Sequence, residues 1–89
     1  MVNEFLLKEF GNRTKQLRLE KGFSQEKLSF ITGFHRTYIG MIERGERNIS
    51  LSNMAVFAKA FEINLSELLD LNKINPKHNH DDYEVKLEK

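Results

Sequence analysis

Apolar residues recur along this chain at helical spacing and are interrupted at short intervals by small polar residues and glycines. In the first segment Leu6, Phe10 and Leu17 share one stripe, with Leu7 and Thr14 beside it, the spacing of an amphipathic helix. Asn3 stands where an N-cap is wanted, and Gly22 where the chain leaves the helix with a positive φ. Ser24 predicts the cap of a second helix, Gln25 to about Thr32, closed by Gly33. Phe34 follows as an apolar turn residue, and His35 takes the next N-cap position. A third helix runs from Arg36 to Arg44 and stops at Gly45. Ser50 predicts a fourth, Leu51 to about Phe61, and Ser66 a fifth, Glu67 to about Asn72. No alternating run is long enough for a competing strand, and no internal repeat is present. Past Asn75-Pro76 the chain turns polar and charge-mixed, so residues 73–89 are expected to form a flexible tail behind a domain at 1–72.

The third helix has two unlike faces. Ile39 and Ile42 lie on an inward arc with Tyr38 and Glu43, while Arg36, Thr37, Gly40, Met41 and Arg44 share the outer arc, which carries no acid. Gly40 weakens a helix by about 1 kcal/mol relative to alanine. On an outward face that penalty makes sense where something must approach the backbone closely. An α-helix fits the major groove of B-DNA, where arginine pairs with guanine and a threonine methyl meets a thymine methyl. Arg36 and Thr37 sit at the helix N-terminus, where recognition helices concentrate their base contacts. Glu43, on the inward arc, needs a partner because an unpaired buried carboxylate is expensive. Arg18, at the border of the first helix's stripe, is the natural one, and the pair reads as structural. The sharper alternative is a general acid with a raised pKa.

Charge sharpens this picture. The formal net charge is only +1, yet Arg13 to Arg47 holds eight basic and four acidic residues, a local +4. Asn48 to Asn72 carries −2. A basic middle beside an acidic end points to a polyanion partner on one part of the surface. With 89 residues, 39% hydrophobic and 30% charged, the chain is one small globular domain. A multidomain enzyme with a deep cleft is excluded. The absence of cysteine removes disulfides, thiolate zinc sites and cysteine nucleophiles. His35, His78 and His80 form no catalytic motif, and no glycine-rich phosphate loop exists, so the expectation is no enzyme and no cofactor. His78, His80, Asp81 and Asp82 could in principle ligate a transition metal, but a solvated tail is the plainer reading. No membrane span or signal peptide is evident, which makes the cytoplasm the expected compartment.

Two stretches together resemble the XRE family of helix-turn-helix repressors and Cro proteins: Leu17 to Leu28, with Ser24-Gln25, and Thr32 to Gly45, with Ile42-Glu43-Arg44-Gly45. The likeness continues through Leu51, Met54, Phe57-Ala58, Phe61 and Leu68-Leu69. The segment His35 to Arg44 followed by Glu46-Arg47-Asn48-Ile49-Ser50 is similar to controller proteins of restriction–modification systems. The resemblance implies an all-α, compact five-helix lambda-repressor-like domain that binds a double-stranded DNA operator. It implies that Gln25 touches a phosphate or the outermost base, and that Arg36 and Thr37 read base edges with Gly40 and Met41 close to the groove floor. It assigns Tyr38, Arg44, Arg47 and Asn48 to the DNA backbone and Arg18 with Glu43 to an internal ion pair. A phage-type repressor, an antitoxin and a protein-interaction module without DNA binding are the alternatives. As a controller, the chain would have RNA polymerase as a further partner. His35 and Gly40 depart from the family pattern, where small polar residues are common.

One recognition helix touches too few base pairs for genomic specificity. The fourth helix is apolar nearly all round, and Ile63, Leu65, Leu68, Leu69 and Leu71 follow it. A homodimer interface containing Val56, Phe61, Ile63, Leu65 and Leu69 is therefore expected.

Overall fold

The computed structural model describes residues 3–73 of the chain. They form five α-helices and a closing 3-10 turn: α1 (Glu4–Glu20), α2 (Gln25–Thr32), α3 (Arg36–Glu43), α4 (Leu51–Ala60), α5 (Leu65–Leu68) and the turn Leu71–Lys73. Asn3, Ser24, His35 and Ser50 all cap in the expected places: each side chain accepts a backbone N–H from the first turn of its helix. The fifth helix starts earlier than expected. Asn64, not Ser66, is its cap, because the Asn64 side chain reaches the Glu67 N–H three residues on at 2.8 Å. Ser66 lies inside the helix and donates to the Asn64 amide oxygen.

Three helices leave by one device, in which paired backbone bonds close the last turn. Phe23 N–H reaches Arg18 O after α1, Glu46 N–H reaches Met41 O after α3, and Ile63 N–H reaches Ala58 O after α4. The first two place a glycine in the left-handed region. The third uses Glu62 at φ 60°, a conformation that costs a side chain roughly 1–2 kcal/mol.

The core is continuous. Leu17 of α1, Leu28 of α2, Ile39 and Ile42 of α3, Phe57 of α4 and Leu68 of α5 are all buried in it. Phe61 is 0% exposed and packs beside Phe57, which removes it from the expected dimer surface. Burying so large an apolar side chain is worth about 1.5–3 kcal/mol, enough to claim it for the monomer core.

Two arginines lie inside the fold, so the charge reading needs correction. Arg13 donates to the Glu67 carbonyl at 2.7 Å and the Leu68 carbonyl at 3.4 Å, and its Nη2 sits 3.3 Å from the Glu67 carboxylate. It satisfies the negative C-terminal end of α5 and binds that short helix to α1. Lys73, expected at the head of the tail, also reaches Glu67, at 2.7 Å, and holds that carboxyl below its usual range.

Arg18 meets Glu43 with a two-pronged fork, Nε to Oε2 at 2.7 Å and Nη2 to Oε1 at 3.1 Å, both side chains buried. Its third edge donates to the Phe23 carbonyl. The pair joins α1 to the last turn of α3. Beside it the backbones themselves touch: a Cβ on Gly11 would lie 2.5 Å from Ile42 O and 2.6 Å from Glu43 O. Neither obstacle is a flexible side chain, so helix α1 would have to move away from α3.

Gly11→Ala should therefore destabilise the domain by about 3 kcal/mol, read by urea unfolding. Arg18→Met alone should cost about 3–5 kcal/mol, since it strands the buried Glu43 carboxylate. A loss below 1 kcal/mol in either variant would mean that the α1–α3 joint is looser than these distances imply.

Candidate nucleic-acid interface

Helix α2, the three-residue turn Gly33-Phe34-His35 and helix α3 form a helix-turn-helix. The turn is pinned from both sides. Ser29 Oγ donates to the Phe34 carbonyl, and Thr32 Oγ1 accepts the Phe34 N–H at 3.1 Å. His35 Nδ1 accepts the Thr37 N–H at 3.0 Å, which opens the recognition helix cleanly at Arg36.

Arg36 and Thr37 emerge side by side at that N-terminus, both exposed. Met41, one turn on, is half-buried on the same arc. Gly40 is different. It is buried, and a Cβ there would stand 3.0 Å from Arg44 Nη1 and 3.8 Å from Gln25 Oε1. The close approach that this glycine permits is internal: the Arg44 guanidinium folds back over it. Arg44 Nε is bonded to Glu46 Oε2 at 3.0 Å. That contact raises the Arg44 pKa and lowers that of Glu46.

Gln25 is anchored from behind, its Nε2 donating to Glu43 Oε1 at 3.1 Å. The ion pair that joins α1 to α3 thus also fixes the first side chain of α2. Tyr38 lies at the rim. Its ring stands edge-on to Phe34 at 5.1 Å, and its hydroxyl accepts from Asn53 Nδ2 at 3.0 Å. That acceptor role leaves the hydroxyl proton free to donate outward. The Arg47 guanidinium lies 5.4 Å from the same ring, so the tyrosine face holds a cation beside its own O–H. Asn48 is exposed just beyond. Gln25, Arg36, Thr37, Tyr38, Arg44 and Arg47 thereby gather on and around α3.

With Arg13, Arg18 and Glu43 internal, the exposed charges between residues 13 and 47 are six basic and three acidic, net +3. The basic bias survives the correction at a smaller size.

Elsewhere the expected interface residues Val56, Ile63 and Leu65 are half-buried, while Leu69 is 41% exposed. Leu69 and Leu71 line an apolar hollow of about 180 Å³ with Leu6, Leu7, Phe10, Ile49 and Met54, and Asn48 is the polar residue in its lining. Leu51, the first of the apolar residues of α4, is 63% exposed. Phe30 on α2 is 83% exposed with Lys27 above its ring, and no periodicity signal singled it out. Among the described residues no group of three His, Asp or Glu could hold a metal; His78, His80, Asp81 and Asp82 lie outside them. No described helix is long and apolar enough to cross a membrane.

A family profile described as helix-turn-helix matches residues 15–68. Control protein C.BamHI of Bacillus amyloliquefaciens is 48% identical over 66 residues, which span 73% of this chain and 82% of that protein. The restriction–modification controller protein C.AhdI from Aeromonas hydrophila superposes with a TM-score of 0.68 at 48% identity, covering 70% of this chain and 94% of that one. The biofilm regulator SinR, solved in complex with DNA, superposes at 0.65 with 32% identity, covering 68% and 98%. The chain belongs to the XRE-type helix-turn-helix family, among whose members restriction–modification controller proteins are its relatives in both sequence and structure.

Proposed function

We propose that this protein is a cytoplasmic, sequence-specific transcriptional regulator, a restriction–modification controller that binds a symmetric DNA operator as a homodimer. The observation that carries the reading is the acid-free N-terminal arc of α3, with Arg36 and Thr37 exposed together at the opening of a helix held by its own cap. Arg36 is positioned to pair with guanine O6 and N7, and Thr37 to meet a thymine methyl. Met41, one turn on, lies close to the groove floor. Tyr38, Arg47, Asn48 and Gln25 flank the groove and contact phosphates, which orients the helix without reading sequence. Control of a promoter would add RNA polymerase as a partner. The chemistry is binding alone, and no catalytic residue is assigned.

Dimerisation supplies the second half-site, with recognition helices about 34 Å apart. The interface we propose differs from the one the sequence implied. It is centred on two exposed leucines, Leu69 at the apolar hollow and Leu51 at the start of α4, and excludes Phe61. The two-fold axis would then run next to the DNA-binding face, a reading supported by Asn48 lining the same hollow as Leu69.

Selection from random duplex DNA should enrich a two-fold symmetric site, with affinity falling steeply as salt rises. Arg36→Ala should then cost about 1–3 kcal/mol and relax one base position per half-site. Enrichment of no sequence would sink the groove-reading account. In sedimentation the protein should be dimeric at micromolar concentration, and Leu51→Asp with Leu69→Asp should give a folded monomer. A wild-type monomer under those conditions, or a double variant that stays dimeric, would overturn the interface.

A further inference from the structure

Building on that DNA-binding reading, we infer that Gly40, Arg44 and Glu46 form one unit in which Glu46 buttresses Arg44 as a second base-reading arginine. Arg44 comes at the end of α3, where a recognition helix has moved away from the base edges, and an extended side chain there would meet phosphate. Here the side chain runs the other way. Helical side chains lean toward the N-terminus, over the turn before their own Cα. Arg44 does so fully: its Nη1 lies 3.0 Å from where a Cβ of residue 40 would stand. This brings the guanidinium back by about one turn, roughly 5.4 Å along the helix, onto the arc that carries Thr37 and Met41.

Glycine leaves that space free, whereas a Cβ would press on the end of the guanidinium, a physical reason for a residue unfavourable within a helix. Glu46 completes the arrangement by accepting from Arg44 Nε at 3.0 Å. A guanidinium offers five donors in a rigid plane. With Nε engaged by the carboxylate, the plane is oriented and the terminal nitrogens remain to bond guanine O6 and N7 together. The position of the acid supports this role. Glu46 is the only exposed acid from His35 to Asn48, on a surface otherwise suited to phosphates. A carboxylate there weakens non-specific attraction to phosphates, while its bond to Arg44 Nε orients the guanidinium. Glu46 is in these terms a positioning residue for Arg44.

Site selection and titration on single-base variants of the selected operator test the unit by two independent routes. Glu46→Ala removes the buttress, and Gly40→Ala fills the space under the guanidinium. Both should lower preference about tenfold at the one base pair per half-site that Arg44→Ala also relaxes, a pair distinct from that of Arg36. Preference elsewhere in the site should be unchanged. Melting temperature is measured alongside: Glu46 is exposed, and a Cβ at residue 40 meets only a movable side-chain end, so both variants should stay folded. Unaltered preference at every position in both variants would overturn the inference while leaving the operator-binding reading intact. So would a uniform gain in affinity for all sequences in Glu46→Ala, which would make the carboxylate a simple repeller of DNA. A wild-type protein that selects no site would overturn both readings.

Discussion

The buried fork between Arg18 and Glu43 sets the geometry on which the rest of this molecule depends. Helix α3 is only eight residues long and could not hold a pose by itself. Its outer arc must remain uncovered, so everything that fixes it has to act from the inner side. Ile39 and Ile42 supply the apolar contact, which is strong but has no direction. The fork supplies direction, since two parallel hydrogen bonds at 2.7 and 3.1 Å tolerate little rotation. Gly11 complements it by letting the α1 backbone meet the last carbonyls of α3 directly. Through Gln25 the same carboxylate also positions the start of α2. One ion pair therefore connects the scaffold helix, the supporting helix and the reading helix.

The charged residues divide into two physical classes. Arg13, Arg18 and Glu43 are inside, where each bond replaces lost hydration and where salt has little effect. Arg36, Arg44, Arg47 and the surface lysines are outside, where their attraction to a polyanion is long-ranged and salt-dependent. Glu46 belongs to the outer class, yet it acts on a neighbour as an inner residue would. The net charge of +1 blends the two classes and so says little about binding.

Local chemistry makes much of the fold legible in the sequence. Caps and terminal glycines act within a few residues, so Asn3, Ser24, His35, Ser50, Gly22, Gly33 and Gly45 were all readable where they stand. The failures share the opposite character. Serine's preference for the role points to Ser66 as a cap, but Asn64 lies two residues earlier and its side chain reaches the same turn. Glu62 occupies a glycine conformation without being glycine, so no residue type announced it. Arg13 and Gly11 owe their roles to partners more than thirty residues away, Glu67 and Ile42, and nothing local distinguishes them from a surface arginine and a weak helix position. Phe61 and Leu69 are alike in hydropathy, and only packing separates the core residue from the exposed one. On α3, the outward exposure of Arg36 and Thr37 follows from the helical wheel. The fold-back of Arg44 onto Gly40 does not, because a wheel shows where a Cα faces and not where a long side chain ends.

The most direct test of the fork's role separates pose from stability. Replacing Arg18 and Glu43 together, as Arg18→Met with Glu43→Leu, removes both buried charges and leaves apolar bulk in their place. Such exchanges are often neutral or stabilising for folding. Melting temperature and affinity for the selected operator should be measured on the same preparation. The account predicts a melting temperature within a few degrees of wild type and a loss of specific affinity of at least about tenfold, with non-specific binding retained. Wild-type operator affinity in a stably folded double variant would show that apolar packing alone orients the reading helix.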